Sequence, residues 1–150
     1  MYMKPLLSYL SALFLILLTA TAQANQSGDA ITGTWKAVNK ALTVQIYKRG
    51  THYYGKIISF EDHKSKVPAA ERRDEKNPNP GLRNRKVLGM EVLTNLTYDP
   101  SERTWKNGRI YHINSGKTYS VSAGMEGGKL VVRAYKGFSM LGKSYTFVQQ

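Results

Sequence analysis

The 150-residue chain contains no cysteine, which excludes a disulfide framework, a thiol nucleophile, a cysteine-ligated zinc site and lipidation through sulfur. The fold must hold by packing and hydrogen bonding. Histidine is scarce, with only His52, His63 and His112, and none has a second histidine or a carboxylate at a recognised ligand spacing. No metal and no other cofactor is therefore expected. Glu61-Asp62-His63 clusters locally and reads as a solvated loop. Acid is short as well: 22 Lys and Arg face 10 Asp and Glu, for a formal net charge of +12.

Long apolar runs are lacking except at the start, where Leu6 to Ala20 follows Lys4 and leads to Ala22-Gln23-Ala24. The run is shorter than the ~20 residues that span a bilayer as a helix. Its small-residue end suits a signal peptidase, so residues 1–24 read as a signal peptide cleaved after Ala24. The expectation is an exported protein, periplasmic or secreted, that is not integral to a membrane after cleavage. Residues 25–150 then carry 21 basic and 10 acidic groups, or +11. Outside the cytoplasm such a charge meets phosphorylated lipids, acidic glycans and wall polymers rather than a genome, so anionic envelope components are candidate partners and nucleic acid is not. Scattered cations also serve solubility alone.

No window after Ala24 sustains helical apolar spacing. The period is two: Leu42, Val44 and Ile46 point one way while Thr43, Gln45 and Tyr47 point the other. Turn residues at Lys48 to Thr51, Asp99 to Glu102, Asn114 to Gly116 and Gly127-Gly128 separate runs expected at His52 to Phe60, Lys86 to Tyr98, Thr104 to Ile113, Lys117 to Met125, Lys129 to Lys136 and Lys143 to Val148. With Gly33 to Val38 at the front, about eight strands result. Asn107-Gly108, inside one run, is either a tight turn or a bulge. A meander of this length without crossover helices would expose an apolar face and two edges, and closure into a barrel removes both. The fold class expected is all-β, an eight-stranded antiparallel barrel. At that size the interior is either filled by side chains or holds one small ligand.

Residues 61–85 interrupt the pattern with mixed charge and Asn77-Pro78-Asn79-Pro80-Gly81. The two prolines remove backbone donors and push the preceding asparagines toward extended geometry, so the segment reads as a rigid-tipped loop outside the core. Asp74, Asn77, Pro78 and Pro80 are its candidate lid residues.

Gly116-Lys117-Thr118 is not a phosphate loop, because the earlier glycine that motif requires is replaced by Tyr111 and a strand follows. No Gly-x-Ser-x-Gly elbow is present, and Asp74 and Asp99 are most simply turn caps. No catalytic residues are assigned, and a non-enzymatic role is expected. Aromatic residues on strands offer more, since rings inside a barrel either fill it or line a cavity. Trp35, Tyr54, Trp105, Tyr111, Tyr119, Tyr135 and Phe147 are the candidate ligand-binding rings. Arg133, between Val131 and Tyr135 on one strand face, would anchor a carboxylate or phosphate if it points inward.

The order of Gly33-Thr34-Trp35, Gly55-Lys56-Ile57, Asp74-Glu75-Lys76-Asn77-Pro78-Asn79-Pro80, Leu88-Gly89-Met90, Trp105 to Tyr111, Gly116-Lys117-Thr118-Tyr119 and Leu141-Gly142 resembles a bacterial family of exported proteins defined by domain of unknown function 2147. The resemblance spans nearly the whole chain after Ala24 and implies a small lipocalin-like or streptavidin-like barrel, with no established activity. The chain departs from the family pattern at His112-Ile113, where an Asp-Pro is usual, and at Phe147, which replaces a tryptophan. The function expected is binding of a small apolar or amphipathic ligand. The alternative is an envelope protein whose basic loops dock on anionic lipid, wall polymer or an acidic partner.

Overall fold

The computed structural model describes residues 27–61 and 65–150. The expected signal peptide, as well as Asp62 and His63 of the local cluster, lies outside the described residues. Eight strands, β1 (Gly33–Ala37), β2 (Leu42–Arg49), β3 (His52–Phe60), β4 (Glu91–Asp99), β5 (Thr104–His112), β6 (Lys117–Glu126), β7 (Lys129–Tyr135) and β8 (Lys143–Gln149), follow one another around a closed barrel. Every neighbouring pair is antiparallel. Closure is made by β1 against β8 at Trp35↔Gln149, Lys36↔Val148 and Ala37↔Phe147. The all-β meander read from the period-two pattern is thus the architecture observed.

Asn107-Gly108 is a bulge. Asn107 takes φ 61°, and the β5–β6 register shifts between Trp105 and Gly108. Glycine is required there because a Cβ would lie 2.6 Å from Leu96 Cδ1 and 2.7 Å from Val121 Cγ1, so the strand is drawn onto the core.

Up-and-down connectivity sorts the connections to two ends. Turns 50–51, 100–103 and 127–128 lie at one end, together with the short 3-10 turn Gly28–Ile31. Segments 38–41, 65–90, 113–116 and 136–142 lie at the other. The first end is sealed. Buried Trp35 donates from Nε1 to the Ile31 carbonyl at 2.8 Å. Buried Trp105 donates to the Gly28 carbonyl at 3.0 Å, and its ring packs on Tyr98 with centroids 4.9 Å apart. The Tyr53 hydroxyl donates to Asp29 at 2.7 Å, so the 3-10 turn is fastened across the barrel base at three points. Two indole donors that would otherwise be buried unsatisfied take carbonyls that a turn this short leaves free.

Two expectations need correction. Lys86 to Met90 is not strand: Met90 bonds back to the Val87 carbonyl at 3.1 Å, Gly89 takes φ 81°, and β4 begins at Glu91. The charged segment is also not wholly outside the core. Asp74 is 0% exposed, Asn77 5% and Val87 1%, and Val87 and Met90 bury against Ile57 and Val92 in a second apolar cluster. Polar density in the sequence concealed those apolar anchors at the end of the segment. The segment is a strap stitched to itself by the Asp74 N–H to Arg85 carbonyl bond (3.1 Å) and the Val87 N–H to Arg72 carbonyl bond (3.0 Å).

Candidate ligand cavity

Inward alternation carries aliphatic side chains onto a common interior: Val44 and Ile46 from β2, Ile57 from β3, Leu93 from β4, Ile110 from β5, and Leu130 and Val132 from β7. These side chains do not meet in the middle. They wall a cavity of about 660 Å³, within the ~300–1,000 Å³ range of small-molecule sites. Phe147 of β8 closes one side. Toward the open end the lining turns polar, with Tyr111, Tyr119, Tyr135 and Tyr145 below Lys40, His112, Asn114, Lys136 and Lys143.

The rim is cationic. Lys40 lies over the Tyr145 ring, 4.6 Å from its centroid. Its charge, together with burial, which is the larger cause, holds the His112 imidazole below its ordinary pKa. Lys40, Lys136 and Lys143 form no ion pair among the described residues. Glu61 is the acidic residue among the groups lining this mouth.

Of the eight candidate ligand residues, Tyr111, Tyr119, Tyr135 and Phe147 line the cavity, and the other four do not. Trp35 and Trp105 point inward but are spent in the sealed base. Tyr54 has the opposite parity to Tyr53, Gly55 and Ile57, so it stands on the outer wall. There it stacks on Tyr47 with centroids 6.2 Å apart, takes the Arg49 guanidinium at 3.8 Å and donates to Asn95 at 3.0 Å. Arg133 alternates with inward Val132 and Ala134 and is therefore outward, bonding Ser144 Oγ at 3.1 Å and the Met140 carbonyl at 3.0 Å. It is a brace for the β7–β8 loop rather than an anion anchor inside the barrel.

The lid residues hold the strap rather than touch the cavity. The buried Asp74 carboxylate accepts from the Tyr111 hydroxyl at 2.6 Å, Asn77 Nδ2 at 2.7 Å, Arg85 Nε at 2.9 Å and Arg85 Nη2 at 2.8 Å. Burial, and secondly the bond to Asp74, raises the Tyr111 phenol to about 12. Asn77 Oδ1 in turn accepts the Asn79 N–H at 2.9 Å. Pro78 is exposed, and Pro80 opens a 3-10 turn capped by Asn79, whose side chain accepts from Gly81 N–H at 2.9 Å. Arg72 reaches Asn114 at 3.2 Å, and Arg72 and Val87 contribute to the cavity lining. Through Tyr111 the strap is thus coupled to the cavity wall.

Sequence reasoning missed the aliphatic lining, because alternation looks the same whether inward side chains meet or leave a void. It also missed Lys40, Lys136 and Lys143. A usable signal was present: in a meander, alternate turns share an end, and 38–41 and 136–142 carry lysine but no acid, with Lys143 directly after the second.

A closed eight-stranded antiparallel barrel with a sealed base and an apolar interior opening at one end defines a lipocalin-like protein. The chain belongs to the bacterial family described as "uncharacterized protein conserved in bacteria" (DUF2147), which it matches over residues 33–149. Among solved structures it is similar to protein HP1028 of Helicobacter pylori, described as belonging to the lipocalin family, with 28% identity and a TM-score of 0.67. That match covers 79% of this chain and 82% of the other. A mutant of the fluorescent protein UnaG also matches, at 17% identity and a TM-score of 0.43, covering 81% of this chain and 97% of the other. No match is found among the curated proteins.

Proposed function

We infer that the protein is a non-enzymatic, exported binder of a small amphipathic molecule. The apolar part of the guest sits in the barrel and its polar end lies at the tyrosine- and lysine-lined mouth. The observation that carries this reading is the cavity itself: about 660 Å³ walled by Val44, Ile46, Ile57, Leu93, Ile110, Leu130 and Val132. Each buried methylene of a guest contributes about 0.8 kcal/mol by leaving water. The cationic rim favours a guest with an acidic head group, which would lie among Lys40, Lys136 and Lys143. The arrangement suits retention, not turnover.

Native mass spectrometry of gently purified protein, followed by solvent extraction, is expected to find a bound amphiphile. An apolar fluorescent probe, N-phenyl-1-naphthylamine, is expected to bind the extracted protein. Val132→Trp places a ring inside the cavity and should abolish probe binding while the β-sheet circular dichroism spectrum persists. Undiminished binding by that variant, or no binding by the extracted wild type, would overturn the reading.

A further inference from the structure

Exposed apolar side chains are distributed unevenly over this molecule. Phe138, Met140 and Leu141 are 80%, 87% and 81% exposed, and all three stand on the β7–β8 loop at the open end. Val38, 51% exposed, stands on the neighbouring β1–β2 turn. None of the exposed large apolar residues lies in turns 50–51, 100–103 or 127–128 at the sealed end. Isolated surface hydrophobes are ordinary, but adjacent ones of this size on one loop mark an interaction surface.

The loop is braced in its outward posture. Arg133 holds the Met140 carbonyl at 3.0 Å, the Leu141 N–H bonds the Phe138 carbonyl at 3.2 Å, and a Cβ on Gly142 would come within 2.8 Å of the Ala134 carbonyl. The backbone is therefore pressed onto β7 while Phe138 and Met140 project away from the barrel. Lys136 and Lys143 flank the loop, Lys40 stands on the neighbouring β1–β2 turn over the Tyr145 ring of β8, and segment 136–143 contains no acid. The sealed end is different in charge. There Asp29 pairs with Lys48 at 2.7 Å, and Asp99 and Glu102 pair with Lys106 at 3.1 and 2.6 Å.

We propose that the open rim docks on an anionic lipid surface, with Phe138, Met140 and Leu141 entering the interfacial region while Lys40, Lys136 and Lys143 contact the head groups. An apolar wedge ringed by cations is the combination such a surface selects. Burial of the side chains supplies part of the attraction and lysine near anionic lipid the rest, so neither suffices alone at moderate salt. Docking there points the cavity mouth at the bilayer, and a lipid-derived guest can pass between membrane and barrel without crossing open water. The docking itself stands apart from the identity or presence of a guest.

The test uses the protein with Phe138→Trp as reporter, since Trp35 and Trp105 are both fully buried at the opposite end. With vesicles of phosphatidylglycerol and phosphatidylethanolamine, the reporter emission should shift to the blue and the protein should co-sediment. Pure phosphatidylcholine vesicles should produce neither effect. Phe138→Ser combined with Met140→Ser, which leaves the cavity lining untouched, should weaken co-sedimentation at least tenfold, and 0.5 M NaCl should weaken it comparably. The apolar probe should still bind that double variant, which separates failure of docking from failure of the cavity reading. Equal binding to both vesicle types, unchanged binding by the double variant, or absence of binding to anionic vesicles would overturn the proposal. A dimer in lipid-free sedimentation that dissociates in the double variant would also overturn it, by assigning the patch to a second copy of the chain.

Discussion

Asp74 shows how a residue's meaning depends on partners far along the chain. It caps no simple turn; its carboxylate gathers Tyr111, Asn77 and Arg85, with Tyr111 coming from 37 positions away. Replacing it with Ala leaves a guanidinium and a phenol with no acceptor, and the expected loss of stability in urea unfolding is about 3 kcal/mol, the low end for a broken buried pair because Arg85 keeps partial access to water. Tyr111 offers a second check. Its folded-state pKa, raised to about 12, lies above that of an unfolded tyrosine, ~10, so the stability it contributes is intact below pH ~10 and is lost as pH rises toward 12. Absorbance titration at 295 nm should show a late-ionising tyrosine class that shrinks in Tyr111→Phe, and Asp74→Asn should bring Tyr111 to lower pH. Asp99 was readable as a cap: its Oδ1 accepts from Ser101 N–H at 3.0 Å and Ser101 Oγ at 2.6 Å. Those bonds are local, whereas the Asp74 site exists only once the strap has packed against Tyr111 of β5.

Strands were legible and their irregular neighbours were not, for a physical reason. Alternation at Leu42, Val44 and Ile46 reports a face directly, and the turn glycines between strands report their ends. Val87 and Met90 belong to no period, since they anchor a strap whose path is set by contact with β3 and β4. The strap also determines what its neighbour tolerates. A Cβ on Gly116, where φ is +65°, would sit 1.9 Å from the Lys76 carbonyl oxygen, a backbone atom that cannot give way without moving the segment. Gly116→Ala should therefore lift the strap from the β5–β6 turn. Limited trypsin digestion checks this: cleavage at Arg72, Arg73, Lys76, Arg83, Arg85 or Lys86 should accelerate several-fold while the strands resist. Equal rates for variant and wild type would show that the strap is not held there.

Across the molecule, closure followed from the strand count and the lack of crossover helices, but hollowness did not. Whether Ile46, Leu93, Ile110 and Val132 meet or stand apart depends on barrel shape, and one methylene more or less on each wall leaves the sequence pattern unchanged. The charge of +12 likewise gave the sign of the surface without saying that lysines gather around the mouth. On the proposed reading the two ends would carry separate duties, and a substitution can test that separation. Trp35→Phe removes the bond to the Ile31 carbonyl and should lower stability by about 1 kcal/mol in urea unfolding, while the dissociation constant of N-phenyl-1-naphthylamine stays within twofold of wild type. A large change in affinity would mean that base and mouth are not independent.

The 3-10 turn pinned beneath the barrel makes the container blind-ended. On the proposed reading a guest would leave through the same doorway by which it arrived, past Lys40, Lys136 and the strap, so its residence time would be governed by traffic at a single threshold. Whatever covers that threshold, the proposed membrane surface included, would then set the clock for unloading.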